Sequence, residues 1–343
     1  MGIFHRQRIY CFFFAFIFTS CIQQKSPDIG HINIEIKINR FDQKLGQLTP
    51  KNSAEKNKTW QKTYPNFYSD FMNYMLEAGD PRDTLTAVKN LQQIAGDKDF
   101  LALKKSVSET FPSLKEQEAA LKEAFQYMHY YFPTSKTPTF ITFFSGFSVQ
   151  VPIGTNYVGI GLDMFLGADA PFYPALRKSI PHYISKRFTP ENIVPRVTET
   201  YLRNVIFPEP DHFDSFIDNM IYQGKILYLM DLILPDIDDT LKIGYDAQQM
   251  KWANEYQTSI WAYFISENLL FESDALKTQK YIGEAPFTPG LAAGNAAAPK
   301  LGRFIGWQIV KAYMEEKPET SISTLLDMKD GQQFLQESRY KGK

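Results

Sequence analysis

Hydrophobic and polar residues alternate near the start of the chain and then recur with a helical period over most of its length. The isoleucines of Ile32–Ile38 alternate with polar residues, which predicts a β-strand with one buried face. β-Branched and aromatic runs at Thr139–Phe144 and Tyr157–Asp163 predict two further strands, joined either as a hairpin or as an adjacent pair. Strands therefore form only a small part of the predicted fold.

Helical spacing of apolar residues accounts for most of the remaining chain. The clearest predicted helix extends from Leu114 to Phe132, and Ser113 with Glu116 has the pattern of a capping box at its start. Further helices are predicted over Asn66–Ala78, Thr84–Ile94, Asp211–Leu234, Asp246–Phe271 (opened by an Asp246-x-x-Gln249 cap), Gly302–Glu316 and Asp330–Ser338. The pattern predicts an α+β fold that is predominantly helical, in which a small N-terminal β-sheet or hairpin is followed by helices.

The first residues have the pattern of a secretory leader. Arg6 and Arg8 form a basic start, and Ile9–Phe18 is an almost unbroken apolar run. This run is too short for a transmembrane helix, which needs about 20 apolar residues. Small residues then precede Cys21, and the four residues that end there resemble the lipobox at which bacterial lipoproteins are acylated and cleaved. An ordinary secretory leader with an incidental cysteine is the alternative.

These signals divide the chain into three predicted parts. Residues 1–20 are the lipoprotein signal peptide, residues 21–30 are a polar tether that begins at the lipid-bearing Cys21, and residues 31–343 form a single mixed α+β domain. We expect such a protein to be anchored in the outer membrane by its acyl chains, on the periplasmic face.

Composition excludes several classes of function. The 343 residues are 44% hydrophobic and 22% charged, with a formal net charge of −1, so the chain lacks the basic footprint of a nucleic-acid-binding protein. The two cysteines are Cys11, inside the leader, and Cys21. The mature chain is therefore expected to contain no disulfide and no cysteine-ligated metal. Aromatic residues, among them 28 Phe and 19 Tyr, suit a core that must stabilise the fold unaided.

The residues themselves show no recognisable catalytic motif. None of the histidines after the leader belongs to a His-Glu-x-x-His motif, which places two imidazoles over a zinc ion. Ser145 is in no Gly-x-Ser-x-Gly elbow and is expected to be a turn residue. The acidic segment Asp236–Asp239 lacks the ligand spacing of an EF-hand and is expected to be a solvated loop. We therefore predict no metal, no cofactor and no small-molecule ligand.

Eight stretches of the sequence have an order and spacing characteristic of one family. They are Arg40–Asp42, Gly159–Gly167, Tyr183–Arg187, Pro190–Pro195, Met220–Lys225, Tyr228–Asp231, Gly302–Tyr313 and Ser338–Lys341. Together they resemble the GldB family of gliding-motility lipoproteins. The resemblance extends from the leader to the C-terminus. It implies a palmitate-bearing envelope lipoprotein whose partners are other proteins of gliding motility and of the associated type 9 secretion apparatus. It supplies no enzyme assignment, and we predict that the protein is not an enzyme.

This family is distantly similar to zinc peptidases of the gluzincin type. On that comparison Glu199 takes the position of the general base, Thr198 and Leu202 replace the two zinc-binding histidines, and Gln223 replaces the third ligand, a glutamate. Threonine and leucine do not bind zinc, and a neutral amide is a poor substitute for a carboxylate. The resemblance therefore implies a degenerate, zincin-like fold that has lost its metal.

Two charged residues near these positions carry separate expectations. Glu199 is expected either to face solvent or to form an ion pair with Arg196 or Arg203. Arg303 is expected to face solvent, because most surface ion pairs contribute little; the alternative is a bidentate pair with Asp163.

Glycine and aromatic residues in two of the predicted helices indicate close packing. Gly224 and Gly306 each cost up to about 1 kcal/mol in a helix interior, and close approach of two helices would offset that cost. Trp307 and Tyr313 are expected to be core residues.

Functions of different classes remain open. The first is a lipid-anchored protein of the cell envelope that has no enzyme activity and acts by binding other gliding and secretion proteins. The alternative is a zinc-peptidase-like hydrolase with a non-standard site that uses His182 or His212. A third, weaker interpretation is a module that binds glycans or peptides through its tyrosines and tryptophans.

Overall fold

A computed structural model describes residues 26–292 and 296–343. The predicted signal peptide, the lipid attachment residue Cys21 and the first part of the tether lie outside the described residues. In the described part, the strands are β1 (Ile38–Arg40), β2 (Thr139–Phe143), β3 (Ile153–Gly154) and β4 (Tyr157–Gly161). The α-helices are α1 (Phe41–Leu45), α2 (Ser53–Thr63), α3 (Pro65–Asp70), α4 (Thr84–Gly96), α5 (Lys98–Thr110), α6 (Lys115–Tyr131), α7 (His182–Ser185), α8 (Ile193–Tyr201), α9 (Phe216–Ile233), α10 (Asp239–Ile243), α11 (Ala247–Glu255), α12 (Gln257–Ser266), α13 (Ala275–Ile282), α14 (Leu301–Glu316), α15 (Ile322–Asp327) and α16 (Gly331–Ser338).

The four strands form one small mixed sheet with the order β1-β2-β4-β3. β1 pairs in parallel with β2, and β2 pairs in parallel with β4, so that Thr139 lies opposite Tyr157. The predicted runs are thus an adjacent pair and not a hairpin, since the short antiparallel strand β3 precedes β4. Helices α1 to α6 connect β1 to β2, as a parallel pair requires a long crossover. The predicted fold class, α+β and predominantly helical, is confirmed.

The strand predicted over Ile32–Ile38 is wrong in extent. Its isoleucines are half-buried or buried and alternate with exposed polar residues, as the pattern indicates, but only its last residue belongs to β1. Side chains of α6 take the backbone groups that a neighbouring strand would otherwise use: Gln126 donates to the carbonyl of Ile32 at 2.8 Å, and Glu118 accepts from the amide of Ile38 at 2.7 Å. The alternation of isoleucines with polar residues in Ile32–Ile38 therefore belongs to an extended segment that is packed on one side.

The capping box predicted before α6 does not form. The helix begins one residue later, after Leu114, and Ser113 only accepts a long hydrogen bond of 3.3 Å from the amide of Lys115. Placing Leu114 in the core fixes this start, because its side chain is buried.

The cap predicted at Asp246 is confirmed. The Asp246 side chain accepts from the amide of Gln249 at 2.9 Å, and the Gln249 side chain accepts from the amide of Asp246 at 3.0 Å. The helix that it opens is nevertheless shorter than predicted: it is interrupted at Tyr256 and, as α12, ends at Ser266.

One large core joins the sheet to the helices, and α9 passes through it with most of its residues buried. A helix that is apolar on all sides is typical of the interior of a large domain. On the sheet side, the core contains a cluster of rings packed edge to face around Phe41, with Trp60 and Phe67 at centroid distances of 5.0 and 5.2 Å. On the other side, α14 packs along α9. These two helices and α8 position the charged residues described next.

Candidate functional site

Glu199 lies on the buried side of α8. This helix continues without a break into a π-helical turn, Leu202–Ile206, a local widening often seen at functional sites. Ile193, Val197 and Tyr201 recur at the spacing of one helical face and are buried in the main core. Glu199 is only 5% exposed, so the expectation that it faces solvent is wrong.

Three arginines converge on the carboxylate of Glu199. Arg203, one turn further along the same helix, contacts Oε1 through Nε at 3.0 Å, and Arg303 of α14 contacts the same oxygen at 2.6 Å. Arg196, one turn before, forms an ion pair with Oε2. The predicted pairing of Glu199 with Arg196 or Arg203 is therefore confirmed, and both arginines take part.

The arginines decide the charge state of this buried acid. Burial alone would raise the pKa of Glu199, because it disfavours the charged form. The positive charges of Arg196, Arg303 and Arg203 outweigh burial and hold the pKa of Glu199 well below its ordinary value. The carboxylate therefore stays ionised in the folded protein at neutral pH.

Gln223 belongs to the same cluster. Arg203 donates through Nη2 to the amide oxygen of Gln223 at 2.7 Å, and the amide nitrogen of Gln223 contacts Asn219 at 3.2 Å. The guanidinium of Arg203 thus bridges Glu199 and Gln223. These are the positions that the resemblance to zinc peptidases assigns to the general base and to the third metal ligand.

Thr198 and Leu202, the other two predicted positions, are completely buried beside Glu199 on the same helical segment. Leu202 is part of the main core, and the hydroxyl of Thr198 has no hydrogen-bond partner among the described residues. Nor do residues 26–292 and 296–343 contain a group of three or more His, Cys, Asp or Glu side chains placed to hold a metal ion.

A second ion cluster adjoins the first at the start of α14. Lys300, completely buried and in the left-handed backbone conformation, donates to the carbonyl of Ile243 at 2.5 Å and pairs with Glu284 at 3.2 Å. Arg187 pairs with the other oxygen of Glu284 at 2.8 Å. Burial would raise the pKa of Glu284, but the charges of Lys300 and Arg187 lower it to about 2. Burial lowers the pKa of Lys300 well below its usual range.

A close crossing of α9 and α14 brings these residues together. A Cβ atom on Gly224 would overlap the carbonyl of Gly306, and one on Gly306 would overlap the carbonyl of Met220. The predicted close approach at the two glycines is therefore confirmed. Trp307 and Tyr313 are buried core residues, also as predicted.

Both expectations for Arg303 are wrong, because this residue is buried against Glu199 and neither faces solvent nor contacts Asp163. The signal that could have located it is helical spacing. Arg303 precedes Gly306 by three residues and therefore lies on the same face of α14, the face that packs against α9.

Asp163 instead holds a tight loop. Its Oδ2 atom accepts hydrogen bonds from the amides of Ser145 and Phe147 at 3.0 and 2.7 Å. Gly146 and Phe147 both have positive φ, so the carboxylate stabilises a strained bend, and Ser145 lies in the loop directly before it. Burial raises the pKa of Asp163.

An aromatic groove of about 350 Å³ opens beside the N-terminal half of α9. Its apolar lining includes Phe207, Pro208, Phe213, Tyr222, Leu326 and Met328. Lys225 also lines it, only 2% exposed, with its ammonium group donating to the carbonyl of Met328 and lying 5.2 Å from the ring centre of Phe334. Among the described residues, no carboxylate pairs with Lys225 within 4 Å. Burial lowers its pKa to about 8.

Within the part of the chain that the structure describes, no helix combines the length and the apolarity needed to cross a membrane.

The fold and the site together define a helical α+β protein built around a buried cluster of arginines and glutamates. The family model of the gliding motility protein GldB matches residues 22–342. Because the match covers nearly the whole chain, this protein belongs to the GldB family, and membership gives it a role in gliding motility. Neither a curated protein nor a solved structure matches the chain, so the similarity to zinc peptidases stays a prediction.

Proposed function

We propose that this protein is a lipid-anchored component of the cell envelope that supports gliding motility, and the associated type 9 secretion, by binding other envelope proteins. One observation carries the proposal: the family match begins at residue 22, directly after the predicted lipid attachment residue Cys21, and continues to residue 342. The part shared with the family is thus almost all of the given sequence that follows the predicted cleavage site.

The short tether supports a position of the protein body close to the membrane. Ile29 already packs against the main core and follows Cys21 by eight residues, which span at most about 28 Å when fully extended. One acyl chain binds a membrane only marginally, so stable anchoring needs the several chains of a bacterial lipoprotein. We propose the outer membrane, with the body on the periplasmic face.

The state of Glu199 supports an activity without catalysis. A general base works best when its pKa lies near the operating pH, whereas the three arginines hold the pKa of Glu199 well below its ordinary value. Both oxygens also lie in ion pairs, Oε1 with Arg203 and Arg303 and Oε2 with Arg196, and Oε1 accepts the hydrogen bonds. In this arrangement Glu199 stabilises the junction of α8 with α14.

The aromatic groove is the surface that we propose for a partner. Its volume suits one or two apolar side chains, and convergent polar groups within an apolar lining are typical of binding sites. Lys225 adds a buried positive charge without a carboxylate partner among the described residues. The occupant that fits is a segment of an envelope protein that inserts an apolar side chain and brings a carboxylate towards Lys225.

Replacing Cys21 by alanine tests the anchor. The variant is expected to leave the outer-membrane fraction or to accumulate with its leader attached, and cells that carry it are expected to lose colony spreading. Cys11→Ala is the matched control, because Cys11 lies inside the leader and is not predicted to be acylated. Cys21→Ala protein of normal mass in the outer membrane, in cells that spread normally, would contradict the proposal.

A photo-crosslinking residue at position 213 tests the partner surface separately. Phe213 lines the groove, whereas Leu276 is 83% exposed on α13 and serves as the control position. We expect a discrete crosslinked species in living cells from position 213 and none of the same mass from position 276. Identical crosslinking patterns from both positions would exclude the groove as the partner surface.

A further inference from the structure

The two ion clusters beside α8 contain more positive than negative charge. Their cations are Arg187, Arg196, Arg203, Lys300 and Arg303, and their carboxylates are the buried Glu199 and the partly exposed Glu284. The half-exposed Glu209, 3.8 Å from Arg203, adds a third negative charge at the rim. Five cations thus face three anions, and an excess of one positive charge remains even when Lys300 is neutral. Buried charge without a counterion is costly.

A small cavity lies between two of these cations, Arg187 and Arg196. It is partly enclosed, with a volume of about 40 Å³, and is lined by Gln150, Ile184, Arg187, Phe188, Asn192 and Arg196. One water molecule needs a cavity of about 10–15 Å³, so a cavity of about 40 Å³ has room for about three or four oxygen atoms. This is the size of a tetrahedral oxyanion.

The groups that line the cavity suit an anion. Arg187 uses one end of its guanidinium for Glu284, while its buried Nε has no hydrogen-bond partner among the described residues. Arg196 contacts Glu199 through Nη2. A guanidinium has five N–H donors in all, so donors of Arg196 remain for a ligand in the cavity. Asn192 is the cap residue of α8, so the positive end of that helix dipole also lies at the cavity.

We infer that this cavity binds a phosphate group, either as free inorganic phosphate or as part of a phosphate monoester. The two arginines donate to its oxygens. The second N–H of the Gln150 and Asn192 amides completes the contact, since each amide already donates once, to Met164 and to Thr189 respectively. The bound charge balances the cluster around Glu199 and Glu284. Arginine is suited to this ligand because its planar fork matches the geometry of phosphate. The inference is independent of the proposed function, since it concerns a different surface.

Calorimetric titration and thermal unfolding of the full-length lipoprotein in mild detergent test the inference. Inorganic phosphate, glycerol 3-phosphate and sodium chloride are compared at one ionic strength. Saturable binding and a rise in Tm with either phosphate compound, and none with chloride, are expected. Binding of inorganic phosphate alone would indicate the free ion, and tighter binding of glycerol 3-phosphate would indicate a monoester. Equal shifts with phosphate and chloride would overturn the inference.

Two variants and one control locate the site. Arg187→Gln is expected to lower the affinity for phosphate at least about tenfold, since a hydrogen bond to a charged group contributes about 1.5–3 kcal/mol. Arg177→Gln, an exposed position on the preceding segment, is expected to bind as the wild type does.

Asn192→Asp keeps the inference testable if Arg187→Gln fails to fold. It places a carboxylate at the cavity, at a helix cap that favours aspartate. We expect its Tm to be higher than that of the wild type without phosphate and to respond no further when phosphate is added. An Asn192→Asp protein that binds phosphate with unchanged affinity would show that the ion lies elsewhere.

Discussion

Substitution of Glu199 by glutamine removes the carboxylate on which three arginines converge. The amide has almost the same size and shape as the carboxylate, so the change is mainly electrostatic. Arg196, Arg203 and Arg303 would remain buried or half-buried around a neutral group, with their mutual repulsion no longer balanced.

The expected loss of stability follows from the geometry. Two unit charges about 4 Å apart attract by about 4 kcal/mol at an effective dielectric constant of 20, so three such pairs give about 12 kcal/mol of gross attraction. The cost of burying the ions cancels much of this, and removal of one partner of a buried pair typically costs 3–5 kcal/mol. For a body of roughly 320 residues each kcal/mol lowers Tm by about 1.5 °C. Glu199→Gln should therefore lower Tm by about 5–8 °C.

The pH dependence gives a second readout with a definite sign. The pKa of Glu199 is lower in the folded protein than in the unfolded chain, so between those two values the unfolded chain binds more protons. Stability then rises with pH through that window. The contribution of Glu199 is fully present above about pH 4.5 and is lost as the pH falls towards the folded pKa. Glu199→Gln should flatten this acid limb.

Thermal unfolding of purified protein at pH 7 and at pH 4 measures both effects. Glu209→Gln is the matched control, because Glu209 is half-exposed and 3.8 Å from Arg203, a geometry that contributes at most about 1 kcal/mol. If Glu199→Gln and Glu209→Gln shift Tm equally at pH 7, the buried cluster does not stabilise the fold as argued.

Two further perturbations have equally definite signs. Gly306→Ala should lower the free energy of unfolding by about 3 kcal/mol or more, because its Cβ overlaps the backbone of Met220. Gly96→Ala, with nothing within 4 Å of the added atom, is the control and should be neutral or slightly stabilising. Comparable losses for the two variants in chemical denaturation would refute the close helix crossing. In the wild type, the pKa of Lys225 is about 8 in the folded protein and 10.5 in the unfolded chain. Between about pH 8 and 10 the unfolded chain therefore binds more protons at this residue, and stability rises with pH. Lys225→Met should abolish that rise in Tm, and an unchanged slope would assign it to another group.

Local patterns predicted the helices well because most of them carry their own signals. Thr84–Ile94 and Gly302–Glu316 agree with α4 and α14 to within two residues, and the Asp246 cap forms as its side-chain chemistry requires. Where the prediction was wrong, contacts from distant segments decided the outcome. The Ile32–Ile38 segment alternates as a strand does, yet its backbone is bound by side chains of α6.

The candidate site was predicted only in part, for a related reason. Pairing of Glu199 with its own helical neighbours follows from spacing alone, and the structure contains it. Arg303 is 104 residues away along the chain; its spacing from Gly306 could have placed it on the packed face of α14, but no local pattern identifies Glu199 as its partner. The ion pairs of Lys300 and Arg187 with Glu284 were missed entirely, because only tertiary packing brings the three residues together.

The crossing at Gly306 and the ion pair at Glu199 act as one structural unit, which makes a further result predictable. Arg303 stands one turn before Gly306 on α14, so a Cβ that separates α14 from α9 also draws Arg303 away from Glu199. Once the pair has been lengthened by Gly306→Ala, loss of the carboxylate should cost less. The double variant Gly306→Ala/Glu199→Gln should therefore lose at least about 1 kcal/mol less than the sum of the single losses. Strict additivity in a double-mutant cycle would mean that the helix crossing does not hold Arg303 in place.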